Sequence, residues 1–245
     1  MKWNAKQYEE AAAFVPEFGK ELIDMLKPKA SDRLLDVGCG DGALTQSLEL
    51  HCAEIIGIDA DENMVARAIQ RGLKAFAYPA SDLPFDNEFD GALTNAVLHW
   101  IPNKAKVLKA VHKALKPNKR FVGEFGGQGC IETIVEGFKE VCRGKGIDSE
   151  VKLPWHFSNK DDFHSLLEQM NFEVKRCETF PRRPRLPQGL RGWLDTFLTP
   201  NLGLPANLID ELYSELEKKV RSELYHNGHW YADYVRIRFN AESKK

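Results

Sequence analysis

A chain of 245 residues with 43% hydrophobic and 29% charged residues has the composition of a folded globular protein with a sizeable core. Its formal net charge of −2 supplies no positive field that would favour nucleic acid as a partner. The five cysteines are odd in number and include no C-x-x-C pair, which argues against a disulfide framework and against a zinc site.

The sequence also bears on the surroundings of the protein. No stretch approaches about 18 consecutive apolar residues, and the polar first ten residues do not resemble a secretory signal. We therefore expect a soluble, cytoplasmic protein that is not inserted in a membrane, binds no metal and does not act on nucleic acid. The sequence does not predict an oligomeric state.

The first half of the chain alternates short apolar runs with helical patterns. Apolar runs predict five strands, at 34–37, 55–58, 73–78, 89–95 and 120–125. Helical periodicity predicts helices at 43–50, 64–71 and 104–115. Strands that alternate with helices indicate a mainly parallel sheet that is covered on both faces.

The second half is less regular. It predicts helices at 131–143 and 160–170, the latter with Ser158 as its N-cap, and a strand at 172–180. A segment rich in proline and arginine then leads to a helix at 207–224 and a last strand at 234–239. We expect a Rossmann-like, seven-stranded, mainly parallel sheet flanked by helices, in which 1–180 and 231–245 form the core and 181–230 a helical lid inserted before the last strand.

A glycine-rich loop lies where the first predicted strand turns into a helix, in the run Asp36-Val-Gly-Cys-Gly-Asp-Gly42. Glycines at such a turn allow a ligand to approach the backbone closely. A tight turn without a ligand is one alternative. A dinucleotide is another, because Gly38, Gly40 and Ala43 also fit the pattern G-x-G-x-x-A, with Asp59 near the position of a ribose-binding acid.

Charge favours a different ligand for this loop. A carboxylate 4 Å from one phosphate charge is unfavourable by about 1 kcal/mol in water and more in a protein, so Asp36 and Asp41 would resist a pyrophosphate. S-adenosylmethionine carries an ammonium and a sulfonium instead of phosphate, and backbone N–H groups can still bind its carboxylate. On this interpretation Asp59 accepts hydrogen bonds from the ribose, and Met64 lies against the adenine unless it is an ordinary core residue.

The successive motifs of residues 30–126 resemble those of class I S-adenosylmethionine-dependent methyltransferases. These motifs are Asp36-Val-Gly-Cys-Gly-Asp-Gly42, Gly57-Ile-Asp-Ala60, Ala80-Ser-Asp-Leu-Pro-Phe85 and Asn95-Ala-Val-Leu-His-Trp100. The resemblance implies S-adenosyl-L-methionine as the cofactor and an opening helix, Trp3 to Tyr8, that covers it. The implied cofactor-binding residues are Asp36, Gly38, Gly40, Asp59, Ala60, Met64, Asp82 and Asn95, with Asp82 near the adenine amino group and Asn95 facing the methyl group.

Within that class the chain is similar to the trans-aconitate methyltransferase group. The similarity lies in the opening Trp3-Asn4 and Tyr8, in Leu98-His-Trp-Ile-Pro102 and in Gly192-Trp-Leu194 after a proline-rich segment. It implies a small acid as the substrate, although not aconitate itself, because the lid residues differ. The expected partner is therefore a small molecule, with an anionic one as the candidate.

His99 is the candidate catalytic residue, because the resemblance places it near the methyl group and its reference pKa lies close to neutrality. A hydroxyl or amine acceptor would need such a base, a carboxylate would not, and His99 could instead pack beside Trp100. Arginines beside Trp193 in the lid suit an anionic group. The candidate substrate contacts are Trp100, Arg182, Arg185 and Trp193.

The function expected from the sequence is methyl transfer from S-adenosylmethionine to a small molecule, with O-methylation of a carboxylic acid as the candidate reaction. Two alternatives remain at this point. One is a dinucleotide-dependent oxidoreductase, and the other is a catalytically silent, methyltransferase-like assembly partner.

Overall fold

The computed structural model describes residues 14–148 and 151–245 of the chain. The strands are β1 (Arg33–Val37), β2 (Glu54–Asp59), β3 (Ala75–Ala77), β4 (Phe89–Asn95), β5 (Leu115–Gly126), β6 (Phe172–Arg182), β7 (Tyr225–His226), β8 (His229–Trp230) and β9 (Tyr234–Ser243). The helices are α1 (Phe14–Leu26), α2 (Ala43–Leu48), α3 (Glu62–Gln70), α4 (Lys104–Ala114), α5 (Glu132–Gly144), α6 (Lys160–Gln169), α7 (Gly189–Phe197), α8 (Thr199–Leu202) and α9 (Ala206–Leu224). Short 3-10 turns cover Glu49–His51 and Leu98–Trp100.

Seven of the strands form one sheet in the order β3-β2-β1-β4-β5-β9-β6. The pairs among β1 to β5 are parallel, whereas β9 runs antiparallel to both β5 and β6. The carboxyl ends of β1, β2, β4, β5 and β6 therefore meet at one edge, together with the start of β9, and this is the edge where ligands bind in such sheets. The predicted seven-stranded, mainly parallel, Rossmann-like sheet is confirmed.

Two main groups of buried side chains hold these layers together. Strand residues such as Val37 and Phe121 pack with α4 and α6 beneath the sheet. Residues of α7 and α9 pack with α5 in a second core, in which Phe138, Leu190 and Leu216 are buried. The predicted lid, 181–230, thus has its own hydrophobic core against α5; its boundaries stay a prediction.

Several element ends differ from their predicted positions. The side chain of Asp61 accepts hydrogen bonds from the N–H groups of Asn63 at 2.9 Å and Met64 at 3.1 Å, so α3 begins before residue 64. Asn159 rather than Ser158 caps α6, because its side chain accepts from the N–H of Asp161 at 2.8 Å. The predicted cap at Ser158 is therefore wrong.

Two regions predicted as loop or lid contain strands. β6 continues to Arg182, which pairs with Tyr234 of β9, so the first two residues of the predicted lid belong to the sheet. The aromatic segment before the last strand forms the hairpin of β7 and β8. None of the helices within residues 14–148 and 151–245 has the length and apolar composition of a membrane-spanning segment.

Candidate cofactor and substrate cavities

A cavity of about 280 Å³ opens at the carboxyl ends of β1, β2 and β4, and we call it the glycine-loop cavity. Many of the predicted cofactor-binding residues line it. These are Gly38, Gly40, Asp59, Ala60, Met64 and Asn95. Because all of them except Met64 of α3 end a parallel strand or follow one closely, the sheet itself brings together residues that are far apart in the sequence.

The glycines of the loop have different reasons to be glycine. A Cβ on Gly38 would lie 2.2 Å from Val97 Cγ2, so close packing excludes a side chain there. Gly40 has a φ of +57°, and a Cβ there would meet no protein atom within 4 Å. Since Gly40 also lines the cavity, its bare backbone faces space in which a ligand can approach.

Asp59 is held in a fixed orientation at the end of β2. Its Oδ2 accepts a hydrogen bond from the N–H of Gly40 at 3.0 Å, and its Oδ1 accepts one from the N–H of Asp61 at 2.9 Å. Burial raises the pKa of this carboxyl above its ordinary value, while the two backbone bonds oppose that shift. The remaining acceptor capacity of both oxygens suits a pair of ribose hydroxyls.

The other two acids of the loop do not present the negative charge that the loop sequence predicts. Asp36 is buried and accepts a hydrogen bond from Thr45 Oγ1 at 2.6 Å, and burial raises the pKa of its carboxyl to about 7. Asp41 forms an ion pair of 2.5 Å with Arg71. Neither side chain lines the glycine-loop cavity. The expected repulsion between these two acids and a pyrophosphate is therefore corrected, whereas a direct cofactor contact by Asp36 stays a prediction.

Two further expectations concern the adenine end of this cavity. Asp82 is exposed and does not line it, so its contact with adenine stays a prediction. Tyr78 and Ala80, which follow β3, do line it and were missed. Their position after the third parallel strand was the available signal. The opening segment from Trp3 to Tyr8 lies outside the described residues.

A second cavity, the aromatic cavity, shares a wall with the first, formed by Asn95, Ala96 and Trp100. Its sides are aromatic, and the residues that supply them are Trp100, Trp155, Phe157, Trp193, Phe197 and Tyr234. The rings of Trp155 and Trp193 stack at 5.7 Å, and those of Trp100 and Phe197 at 6.3 Å. The enclosed volume is about 60 Å³.

Strained backbone surrounds this second cavity. Ala96 and Ile131 both line it, and their φ angles are +59° and +53°. Such left-handed conformations are unfavourable for side chains other than glycine, asparagine or aspartate, and for a β-branched residue they are rare. Strain of this kind is commonly kept at ligand-binding sites.

One end of the aromatic cavity is polar and positively charged. Glu124, which is 1% exposed, lies opposite Arg238 in the register of β5 and β9, so the two side chains share a face of the sheet. Arg236 is two residues earlier on β9 and occupies the same face. Glu124 accepts hydrogen bonds from Arg236 Nε at 3.1 Å and Arg238 Nη2 at 2.7 Å, and a forked pair from Arg182, whose Nη2 is 3.2 Å from Oε2.

These contacts determine the ionisation of the cluster. Burial raises the pKa of the Glu124 carboxyl, but the charges of Arg236 and Arg182 and the hydrogen bonds from Arg238 lower it more, so its pKa lies below the ordinary value. Three guanidinium groups thus share one buried carboxylate, and Arg238 also pairs with the exposed Glu21 of α1. Among the described side chains of this cluster, three arginines face two carboxylates, Glu124 and Glu21, so the polar end carries a net positive charge. Arg182 and Arg236 line the cavity.

His99 lines the same cavity from the turn that follows β4. The N–H of Gly126, at the end of β5, donates a hydrogen bond of 3.1 Å to its Nδ1. Burial, followed by the positive charges of Arg236 and Lys104, holds the pKa of the imidazole well below its ordinary value. This arrangement disfavours the predicted general-base role, because Nδ1 is engaged and a neutral ring then carries its proton on Nε2.

The lid arginines are separated by the fold. Arg182 belongs to β6 and faces the aromatic cavity, as does the predicted contact Trp193. Arg185 is exposed and does not line that cavity, so its predicted substrate contact is not supported. Arg183 donates to the carbonyl of Glu223 at 2.8 Å. Arg191 pairs with Asp195 and Asp210.

Glu124, Arg236, Trp155 and Phe157 were missed by sequence reasoning. The sequence contains a signal for Arg236 and Glu124. Arg236, like Arg238, alternates with apolar residues in the last strand, as in Val235-Arg-Ile-Arg-Phe239, and Glu124 interrupts an apolar strand. Charged residues on one face of a central strand must pair with one another or with a ligand. No comparable signal marks Trp155 and Phe157, which lie in a segment without regular structure.

The fold and the glycine-loop cavity define a class I methyltransferase architecture, and the sequence comparisons agree. A methyltransferase domain family matches residues 35–123. An uncharacterised methyltransferase of Schizosaccharomyces pombe is 33% identical over an alignment of 264 positions, which covers 99% of this chain and 98% of that protein. The chain belongs to this methyltransferase family.

More distant proteins share part of the sequence or only the fold. The 27-O-demethylrifamycin SV methyltransferase of Amycolatopsis mediterranei is 29% identical over 189 residues, 70% of this chain and 66% of that protein. The crystal structure of a methyltransferase from Bacillus halodurans superposes with a TM-score of 0.67 at 17% identity, covering 92% of this chain and 98% of that one. The finer resemblance to the trans-aconitate group is not established by these comparisons.

The cofactor of this chain is S-adenosyl-L-methionine, as its methyltransferase domain requires. The glycine-loop cavity fits that molecule on three counts. Gly40 leaves open space at the loop, Asp59 is oriented for ribose hydroxyls, and the buried Met64 supplies an apolar wall. The chain is a S-adenosylmethionine-dependent methyltransferase by family and fold.

Proposed function

We propose that this methyltransferase transfers the methyl group to a carboxylate oxygen of a small organic acid that binds in the aromatic cavity. The observation that carries the proposal is the shared wall of the two cavities: Asn95, Ala96 and Trp100 separate the glycine-loop cavity from a cavity lined by Arg182 and Arg236. The methyl donor and an anion-binding surface are thus neighbours. The name of the Amycolatopsis mediterranei relative describes a small-molecule substrate, which supports a small molecule as the methyl acceptor here.

The chain contributes alignment and a dry environment. When bound, the cofactor supplies an electrophilic methyl group on a sulfonium. The aromatic walls exclude water, which strengthens the attraction between guanidinium groups and a substrate carboxylate. Arg182 or Arg236 would hold one carboxylate oxygen and leave the other oxygen free to accept the methyl group that the cofactor would supply from its sulfonium. No proton moves in this reaction.

The ionisable groups of the aromatic cavity favour an acceptor that is already charged. Glu124 is bound by three arginines and has a lowered pKa, so it is a poor base. Burial raises the pKa of the Tyr234 phenol, which accepts a hydrogen bond from Trp193 Nε1 at 2.8 Å, and raises that of the Cys130 thiol to about 11. Glu124, Tyr234 and Cys130 line this cavity, and none of the three is a general base near neutral pH. A carboxylate needs none.

The test is a panel of small carboxylic acids assayed with S-adenosylmethionine, each acid paired with its amide and its primary amine. Release of S-adenosylhomocysteine reports turnover, and a labelled methyl ester is recognised because alkali liberates its methyl group as methanol. We expect turnover with acids and alkali-labile product. Turnover with amines alone would contradict the proposal, and cofactor binding without turnover on any class would favour a silent assembly protein instead.

A further inference from the structure

We propose that His99 acts as a neutral hydrogen-bond donor to the acceptor oxygen, and that this donor selects oxygen acceptors over amines. The inference deepens the proposed function and rests on it, because it assumes that the acceptor lies in the aromatic cavity. It assigns to His99 the role opposite to that of a base.

The geometry of the backbone determines which ring nitrogen carries the proton. The 3-10 turn Leu98–Trp100 places the His99 ring beside the end of β5, where the N–H of Gly126 points at Nδ1 from 3.1 Å. A backbone N–H can only donate, so Nδ1 must be an acceptor. In a neutral imidazole the proton then lies on Nε2. The carbonyl of His99 in turn accepts from the N–H of His156 at 2.7 Å, which anchors the turn.

The ring lies beside the wall that both cavities share. Its centroid is 5.2 Å from the ring of Trp100, a residue that lines both cavities, and 6.1 Å from the ring of Phe157. His99 is 8% exposed and lines the aromatic cavity. A group at this position is close to where the methyl donor and the acceptor meet.

The charged groups around His99 keep it uncharged. Arg236 approaches from β9 and Lys104 from α4, and both disfavour a second proton on the ring. Glu124 of β5 lines the same cavity but is already bound by three arginines. Protonation would bury another positive charge in this cluster, so the neutral form persists through the physiological range.

A neutral N–H donor discriminates between acceptor atoms. A carboxylate oxygen can accept the Nε2 hydrogen bond and still direct a lone pair at the methyl carbon. An amine nitrogen has a single lone pair, which must point at the methyl carbon, so it can offer His99 only N–H donors. The Nε2 donor would then be buried without an acceptor, which is unfavourable. We expect acids to be preferred over matched amines by about tenfold or more in kcat/KM.

The first test needs no substrate. In the full-length protein with S-adenosylhomocysteine bound, nitrogen-15 NMR of the histidine side chains between pH 5.5 and 8.5 reports the tautomer and protonation of His99, assigned by loss of its signals in His99→Gln. We expect a neutral, Nε2-protonated ring throughout. A ring that titrates between pH 6 and 7, or that carries its proton on Nδ1, would overturn the inference.

The second test compares His99→Gln, whose amide can donate a hydrogen bond, with His99→Phe, which keeps a ring but has no donor. The probes are the acid of highest turnover in the panel and its matched primary amine, with cofactor affinity measured by calorimetry as the check on folding. We expect the phenylalanine variant to lose about tenfold in kcat/KM on the acid and little on the amine, and the glutamine variant to recover part of the loss.

Equal losses on both probes would overturn the donor role, as would a rate limb between pH 6 and 7 that disappears in the variants. The two proposals fail differently. If amines are turned over and acids are not while His99 stays neutral, the proposed function and the selection by His99 are both wrong although the tautomer is correct. If acids are turned over while His99 titrates, only the present inference is wrong.

Discussion

The two cavities of this methyltransferase are built in different ways. The residues that line the glycine-loop cavity lie between positions 38 and 101, at or shortly after the ends of consecutive parallel strands. The aromatic cavity collects residues between 95 and 236 from β4, β5, β6, β9, the predicted lid and the segment before α6. The first depends on short-range sequence motifs, and the second depends on how β9 enters the sheet.

The two cavities also use different physical devices. In the glycine-loop cavity, backbone N–H groups orient one acid, Asp59, which stays half-buried. In the aromatic cavity, Glu124 and three arginines are removed from water, and their mutual contacts must offset a large loss of hydration. Changes to the second cavity should therefore affect folding as well as binding.

The largest effect is expected for Glu124→Gln. The three guanidinium groups would lose their shared carboxylate, and breaking a buried ion cluster by removing one partner lowers the free energy of unfolding by about 3–5 kcal/mol. Urea unfolding measures this. Glu88→Gln is the control, because Glu88 pairs with Arg33 at a half-exposed site, where less than about 1 kcal/mol is expected. Similar losses in both variants would mean that the buried cluster contributes no more to the free energy of unfolding than the half-exposed ion pair does.

A smaller effect, on cofactor affinity, is expected for Asp59→Ala. Removing two charge-assisted hydrogen bonds to ribose should weaken S-adenosylmethionine binding by roughly a hundredfold, measured by calorimetry. Asp82→Ala is the matched control, because Asp82 is exposed and does not line the cavity. If the Asp82 variant loses affinity instead, the predicted adenine contact is supported, and the loop that carries Asp82 must move toward the cavity when the cofactor binds.

For the aromatic cavity, Arg182→Gln should raise KM for the best acid of the panel by about tenfold, since one charge-assisted contact to the anion is lost. Arg185→Gln should leave KM unchanged, because Arg185 is exposed and outside the cavity. Steady-state kinetics at constant salt compares the two. An effect at Arg185 alone would place the anion on the lid surface.

The smallest effect concerns the wall between the cavities. Ala96→Gly should relieve the left-handed φ of +59° and raise the free energy of unfolding by less than about 1 kcal/mol. Asn118→Gly provides the comparison, because asparagine tolerates its φ of +57° and little change is expected. Urea unfolding measures the change. A loss of stability in Ala96→Gly would show that packing of the Ala96 methyl group stabilises the fold by more than the backbone strain destabilises it.

Much of the first cavity could be read from the sequence. Gly38, Gly40, Asp59 and Asn95 line one cavity at the strand ends, as the alternation of apolar runs and helical patterns predicts for parallel strands whose carboxyl ends coincide. Their contacts with the cofactor stay predictions. The charges of Asp36 and Asp41 were misjudged, since their partners Thr45 and Arg71 are separate elements that only folding brings close.

The sequence by itself determined the parallel half of the sheet, the glycine loop and the class of cofactor, because each depends on periodicity or on motifs a few residues long. Only the tertiary structure decided the content of the aromatic cavity. Arg236 meets Glu124 through the antiparallel register of β5 and β9, over a separation of 112 residues. The N–H of Gly126 meets His99 Nδ1 only because the end of β5 lies beside the turn that follows β4. Such partners are not encoded locally, so neither charge nor protonation state at this site follows from the residue types alone.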